Sequence, residues 1–217
     1  MAHPEASEQA QDLKNVERLK FFTDAVVAIA LTLLILPLLE SVSEAARTQQ
    51  SATDMLAEHS GQIMTFALSF VVVASFWIVH HRIFEHVSRY TPALMGLSFL
   101  WMFTIVLLQF PTAMVGALSP EPILLGLYIG LMALSSLILS AMTWLVSRDA
   151  RIRSGRPTFE ASSLAASFSS SLLFVLVLCL ALLIPGLSYY ALFLLFLNRP
   201  LQRLLQPYFA RLQTRLT

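Results

Sequence analysis

An acidic residue, Asp24, lies at the start of an apolar stretch, and two adjacent histidines, His80 and His81, end another one. A carboxylate in apolar surroundings requires a cation or hydrogen-bond donors, for which Arg18, Arg82 and the two histidines are candidates. Imidazoles also carry protons near neutral pH. The arrangement therefore suits either a proton relay or a polar lock between two helices.

Metal or haem ligation by the histidine pair is disfavoured. Adjacent side chains on a helix diverge by about 100°, so His80 and His81 cannot both reach one ion. The sequence contains no H-E-x-x-H, G-x-S-x-G or G-x-x-x-x-G-K-[ST] motif. The single cysteine, Cys179, lies in an apolar run and cannot form an intrachain disulfide. We therefore expect no enzymatic activity, no cofactor and no resident metal.

The composition is typical of a membrane protein. Hydrophobic residues make up 57% of the 217 residues and charged residues 12%, whereas a soluble domain has about 25% charged residues. The net charge of +1 gives no indication of nucleic-acid binding. The polar N-terminus lacks the apolar core of a secretory signal, so the first apolar run is expected to remain in the mature protein. The sequence predicts an all-α integral membrane protein.

Apolar runs near the length of a membrane-spanning helix recur along the chain. They predict a six-helix transmembrane domain over residues 19–198, preceded by an N-terminal segment at 1–18 and followed by a basic tail at 199–217. The predicted spans are 19–39, 62–84, 91–118, 122–146, 160–184 and 187–198. The sixth is short for a membrane crossing and needs help from the leucines that follow it.

The basic residues support six crossings and predict the orientation. With six crossings, each of the 14 lysines and arginines except Arg47 falls on the same side of the membrane. With five crossings, the arginines after residue 198 would move to the opposite side and weaken this bias. By the positive-inside rule, both termini lie in the cytoplasm.

The first span carries a stripe of side chains at helical spacing. Its members, at i, i+3, i+4 and i+7, are Ile29, Thr32, Leu33 and Leu36. From the spacing alone, the stripe is either an ordinary buried helix face or the lining of a narrow pathway. In the third span, Pro111 predicts a kink, and the Thr112 hydroxyl can satisfy the carbonyl that the proline frees.

The residues in front of this stripe resemble a known signature. The segment 18–24, Arg-x-x-x-Phe-Thr-Asp, is similar to the R-x-x-x-F-[ST]-D motif of the transmembrane protein 175 family, the lysosomal potassium channels and their bacterial relatives. The segments 77–84 and 110–112 also resemble that family, so the likeness covers roughly residues 18–118. Thr23 keeps the hydroxyl of the motif's usual serine. The motif occurs once, as in the bacterial members, whose pores are homotetramers.

This resemblance implies a leak-like channel of modest potassium selectivity in a bacterial cytoplasmic membrane, with the first helix lining a central pore. The family's constriction falls on Ile29, and Thr32 and Leu36 are further pore positions, with Leu33 beside them. One Ile29 from each subunit would form a hydrophobic constriction, and the Thr32 hydroxyls would replace part of the hydration shell of K⁺ or another monovalent cation. The potassium-filter sequence TVGYG is absent.

The resemblance assigns a supporting role to residues at the cytoplasmic end of the pore helix. They are expected to hold that helix in position: Arg18, Phe22, Thr23, Asp24, Trp77, His80 and His81. A competing interpretation is a proton- or ion-coupled secondary transporter that uses Asp24 with His80 or His81. The lack of inverted repeats with broken, paired helices counts against it.

Overall fold

The computed structural model describes residues 4–89, 91–118, 121–153 and 161–183, together with residues 203, 206 and 207. Regular structure in these residues is entirely helical. The helices, in chain order, are α1 (Pro4–Leu33), α2 (Leu36–Arg47), α3 (Ala52–Glu58), α4 (Ser60–Glu85), α5 (Pro92–Leu107), α6 (Gln109–Ala117), α7 (Pro122–Arg148), α8 (Ala150–Arg153) and α9 (Ala161–Leu183).

Five helical stretches in the described residues are long and apolar enough to cross a membrane. They are Ala10–Arg47, Ser60–Glu85, Pro92–Ala117, Pro122–Arg148 and Ser163–Leu183. The prediction of an all-α, multi-span membrane protein is confirmed. The sixth predicted span, 187–198, lies outside the described residues, as does most of the basic tail.

The first helix differs from its predicted extent at both ends. It begins at Pro4, so most of the segment predicted as a polar N-terminus is helical. A turn at residues 34–35 separates α1 from α2, which continues to Arg47 instead of ending near residue 39. Pro37 explains the interruption, because it has no N–H to donate to the carbonyl of Leu33 and its ring crowds that turn. This proline is visible in the sequence, and the candidate membrane span Ala10–Arg47 contains the predicted span 19–39.

The third membrane stretch is interrupted at Leu108, three residues before Pro111, so that α5 ends at Leu107 and α6 begins at Gln109. Pro111 leaves the carbonyl of Leu107 without its helical donor. The Thr112 hydroxyl donates to the carbonyl of Leu108 at 2.7 Å and not to the freed carbonyl of Leu107. The break therefore lies where the sequence predicts a kink, but the threonine does not satisfy the freed group.

The interior of the bundle is centred on α7, which packs against α4, α5, α6 and α9. Hydroxyl groups fasten it to its neighbours: Ser135 donates to Thr104 at 2.7 Å, and Ser136 lies 2.9 Å from Ser171. Within a membrane, close packing and such interhelical hydrogen bonds hold helices together, because lipid tails are as apolar as leucine. By contrast, α1 packs on α4 and α5 and leaves much of its own surface uncovered.

Candidate functional site

The stripe on the first membrane helix faces away from the protein's own interior. Ile29 is 59% exposed, Leu33 40% and Leu36 47%, and Thr32 is exposed as well. The residues on the opposite face are buried: Val27, Ala30 and Leu34. Leu36 lies beyond the break, as the first residue of α2, but it remains exposed. Within one chain, the stripe is therefore not the buried helix face that its spacing also allowed.

The hydroxyl of Thr32 has a defined orientation. It donates to the carbonyl of Ile29 at 2.8 Å. A hydroxyl carries one proton and two acceptor lone pairs, so this bond uses the proton and leaves the oxygen's lone pairs available. Thr32 thus presents an acceptor, and not a donor, on the exposed stripe.

Asp24 is held by the indole of Trp77. The Nε1–H of Trp77 donates to Oδ1 of Asp24 at 2.8 Å, which joins α4 to α1. Both residues are half-buried. Among the described residues, neither Arg18 nor Arg82 forms an ion pair with Asp24. The carboxylate therefore has a neutral donor where the sequence suggested a cation or a histidine.

His80 lies in a different environment from Asp24. It is fully buried, lies nearly parallel to Trp101 with ring centroids 4.4 Å apart, and stacks on Phe84 at 4.6 Å. Within the part of the chain that the structure describes, neither ring nitrogen of His80 has a hydrogen-bond partner. Among the described residues, Asp24 and His80 are therefore not hydrogen-bonded to each other.

His81 packs against the residue that binds Asp24. Its ring centroid lies 5.3 Å from that of Trp77, whose indole N–H donates to the carboxylate. Trp77 and His81, four residues apart, thus share one face of α4. This face positions Trp77 as the donor and His81 as its packing partner.

The other motif residues divide between the interior and the surface. Thr23 is fully buried, and its hydroxyl donates to the carbonyl of Leu19 at 2.9 Å. Phe22 is 52% exposed and packs against Phe99 of α5, with ring centroids 6.1 Å apart. Arg18 is exposed. The motif therefore fastens α1 to α4 through Asp24 and to α5 through Phe22.

The structure adds a contact that sequence reasoning missed. Asp12, in the N-terminal part of α1, forms an ion pair with Arg89 in the loop between α4 and α5, with Oδ2 and Nε 2.5 Å apart. The same loop is tied to α8, because the backbone N–H groups of Ser88 and Arg89 both donate to the carbonyl of Ile152. The contact ties the part of α1 that lies within the predicted N-terminal segment 1–18 to the rest of the bundle.

These observations define a class of protein. It is an all-α, multi-span membrane protein whose first membrane helix is anchored at one end and presents an apolar, hydroxyl-bearing stripe outward.

A family model described as the endosomal/lysosomal potassium channel TMEM175 matches residues 18–108. The solved crystal structure of a TMEM175 homologue from Chamaesiphon minutus shares the fold, with a TM-score of 0.63 at 20% identity, over 91% of this chain and 97% of that one.

Curated relatives agree with this match. A potassium channel of Streptomyces collinus is 28% identical over 172 residues, which is 73% of this chain and 82% of the relative. A potassium channel of Chamaesiphon minutus is 28% identical over 114 residues, or 56% of its length. The zebrafish endosomal/lysosomal proton channel TMEM175 is 38% identical over 86 residues, which is only 16% of that protein. Residues 18–108 are thus similar to the TMEM175 family, in the part of the chain where the motif predicts that likeness.

Proposed function

We propose that this protein forms a potassium-conducting channel with a hydrophobic constriction on its first membrane helix. The observation that carries the proposal is the exposed stripe beginning at Ile29, on a helix whose opposite face is buried. A single helix cannot enclose a path, so such a stripe lines a pore only when several copies surround one axis. The names of the bacterial relatives support potassium as the permeant ion.

The assembly that fits this stripe is a homotetramer. Support comes from the single copy of the motif and from the family resemblance, in which a single-copy chain supplies one subunit in four.

The orientation in the membrane follows from the basic residues. When the chain crosses six times, the side that receives both termini also receives five arginines of the described residues: Arg82, Arg89, Arg148, Arg151 and Arg153. The positive-inside rule then places both termini in the cytoplasm of a bacterium.

In this assembly, the Ile29 side chains narrow the pore and restrict conduction by excluding water. Thr32 lies one turn further along the helix, where its lone pairs face the axis and replace part of a K⁺ hydration shell. Because no TVGYG filter is present, selection rests on pore radius and on these oxygens, and it is modest. The channel requires no cofactor beyond the permeant ion and is not an enzyme.

Two contacts of α1, made by Phe22 and Asp24, fix the position of this constriction. The Trp77–Asp24 hydrogen bond and the Phe22–Phe99 contact hold the helix against α4 and α5. A displacement of the helix would change the pore radius at Ile29. The transporter interpretation gains no support, because its acidic and basic members are not in hydrogen-bond contact.

Potassium flux into liposomes containing the purified protein tests the proposal. Ile29→Asn makes the constriction polar and is expected to raise flux several-fold, with Na⁺ and H⁺ flux read alongside. Val71→Asn is the matched control, because Val71 is 61% exposed on α4 and lies outside the stripe. Absence of flux from all three proteins, or an equal rise in the control, would contradict the proposed pore.

A further inference from the structure

A groove of about 630 Å³ opens on the surface of the bundle between the start of α5 and the end of α7. Its depth comes from small residues on both helices: Ala93, Gly96 and Ala141. Leucines of the same two helices form the rest of its apolar lining. Its volume lies in the range of about 300–1,000 Å³ that is typical of small-molecule sites.

A cation stands at one end of this groove. Arg148, in the last turn of α7, places its guanidinium carbon 4.5 Å from the ring centroid of Trp144, and both residues line the groove. Arg148 is exposed. Stacking on an indole orients the guanidinium but leaves its N–H groups free to bind an anion.

The nearest acid on the chain does not neutralise Arg148. Asp149 binds Arg151 instead, with Nε and Oδ1 3.2 Å apart and a second contact from Nη2. The hydrogen bonds from the Arg151 side chain hold the pKa of Asp149 below its ordinary value, so that pair stays ionised and engaged. Among the residues that the structure describes, Arg148 has no carboxylate partner.

Two further features favour an anion at this end of the groove. The N-terminus of α5, capped by Thr91, lies here and carries the partial positive charge of a helix start. Tryptophan and arginine near the end of a membrane-spanning helix mark the level of the lipid headgroups. The groove therefore begins at headgroup level and continues along the apolar part of α5 and α7.

We propose that this groove is a binding site for an anionic glycerophospholipid. One acyl chain lies against Ala93, Gly96 and Ala141, and the phosphate pairs with Arg148. The planar guanidinium matches two phosphate oxygens at once. An anionic headgroup is preferred over a zwitterionic one, because basic pockets between membrane helices attract lipids by net charge. The bound lipid bridges α5 and α7 and so supports the helix on which Phe22 of the pore helix packs.

The chain offers variants that separate the apolar and charged parts of the site. A Cβ added at Gly96 meets nothing within 4 Å, so Gly96→Leu fills the groove without displacing the fold. Arg148→Gln removes the cation. Arg82→Gln is the matched control, because it removes one exposed positive charge from the last turn of α4 and lies outside the groove.

Native mass spectrometry of the full-length protein in detergent, titrated with phosphatidylglycerol or phosphatidylcholine, measures the binding. The wild type and Arg82→Gln are expected to retain phosphatidylglycerol in preference to phosphatidylcholine. Loss of a hydrogen-bonded charge contact predicts about tenfold weaker phosphatidylglycerol binding in Arg148→Gln, and Gly96→Leu is expected to lose binding of both lipids. Unfolding temperatures measured without added lipid are expected to be equal and verify that each variant is folded.

Three results would overturn the proposal. If Arg82→Gln and Arg148→Gln weaken phosphatidylglycerol binding equally, the preference for this lipid comes from the overall surface charge and not from Arg148. Unchanged phosphatidylglycerol binding in Gly96→Leu would show that lipid does not enter the groove. A change of oligomeric mass in that variant would show that another subunit covers this surface. Because no conductance enters these measurements, they stand apart from the test of the channel.

Discussion

The indole N–H of Trp77 and the carboxylate of Asp24 form a 2.8 Å hydrogen bond between α4 and α1. An acid inside a membrane helix must be compensated, and here the compensation is a neutral donor. An indole donates in one fixed direction, whereas a guanidinium offers several donors on a flexible stem. The bond thus fixes the rotation of α1, and with it the direction in which the exposed stripe points.

Trp77→Phe is expected to destabilise the fold by about 1–3 kcal/mol, because it leaves a half-buried acceptor without its donor. The unfolding temperature in detergent should fall. Asp24→Asn should have a smaller effect, since the amide oxygen still accepts from the indole.

Trp144→Phe provides the control for removal of an indole, because Trp144 contacts Arg148 and Phe168 far from Asp24 in the sequence. An unfolding temperature of Trp77→Phe equal to that of the wild type would mean that the hydrogen bond does not hold α1 in place.

The hydrogen bond between Trp77 and Asp24 could not be predicted from the sequence. Charge alone pointed to Arg18, Arg82 or the histidines, and the family resemblance placed Trp77 in the same network without a bond to Asp24. Which side chain meets Asp24 depends on how α4 rotates and slides against α1. That relation is tertiary, and helical spacing within one segment contains no information about it.

The shared face of Ile29, Thr32 and Leu33 could be predicted, because helical periodicity places residues three and four apart on one side. Their exposure could not, since a buried stripe and an outward stripe have the same spacing. The break before Leu36 was predictable in principle from Pro37. The helix-breaking rule that predicts the kink at Pro111 applies equally to that proline.

Asp12→Asn is expected to lower stability by less than about 1 kcal/mol, as is typical of partly exposed ion pairs. It removes the link between Asp12 and Arg89, whose side chains are 28% and 48% exposed. The difference should shrink in high salt, because screening weakens such pairs. Unfolding temperatures of wild type and variant at low and high ionic strength measure this.

Glu17→Gln neutralises another exposed acid of α1 and serves as its control. If the two variants lose equal stability at low salt, the effect comes from the overall charge of the helix and not from the contact with Arg89.

Asp149 should make a pH-dependent contribution to the stability of the end of α7. Hydrogen bonds from Arg151 lower the pKa of this carboxyl in the folded protein. A lowered folded-state pKa gives stability that is present above the unfolded pKa and is lost as pH falls through the folded one. Asp149→Asn should therefore be less stable than wild type at neutral pH and equally stable in strong acid. A difference that stays constant from neutral to acidic pH would contradict this assignment.

Thr32→Val tests whether the hydroxyl oxygen contributes to ion selection. Valine has nearly the same shape, and the lost bond to the Ile29 carbonyl lies on an exposed face where that carbonyl keeps its helical partner. The fold should therefore be unaffected. The ratio of K⁺ to Na⁺ flux should fall, because the hydroxyl oxygen that replaces part of the K⁺ hydration shell is removed. Thr32→Ser keeps the oxygen and should retain the wild-type ratio. If serine and valine lower the ratio equally, packing by the threonine methyl group determines the selectivity, and the oxygen has no part in it.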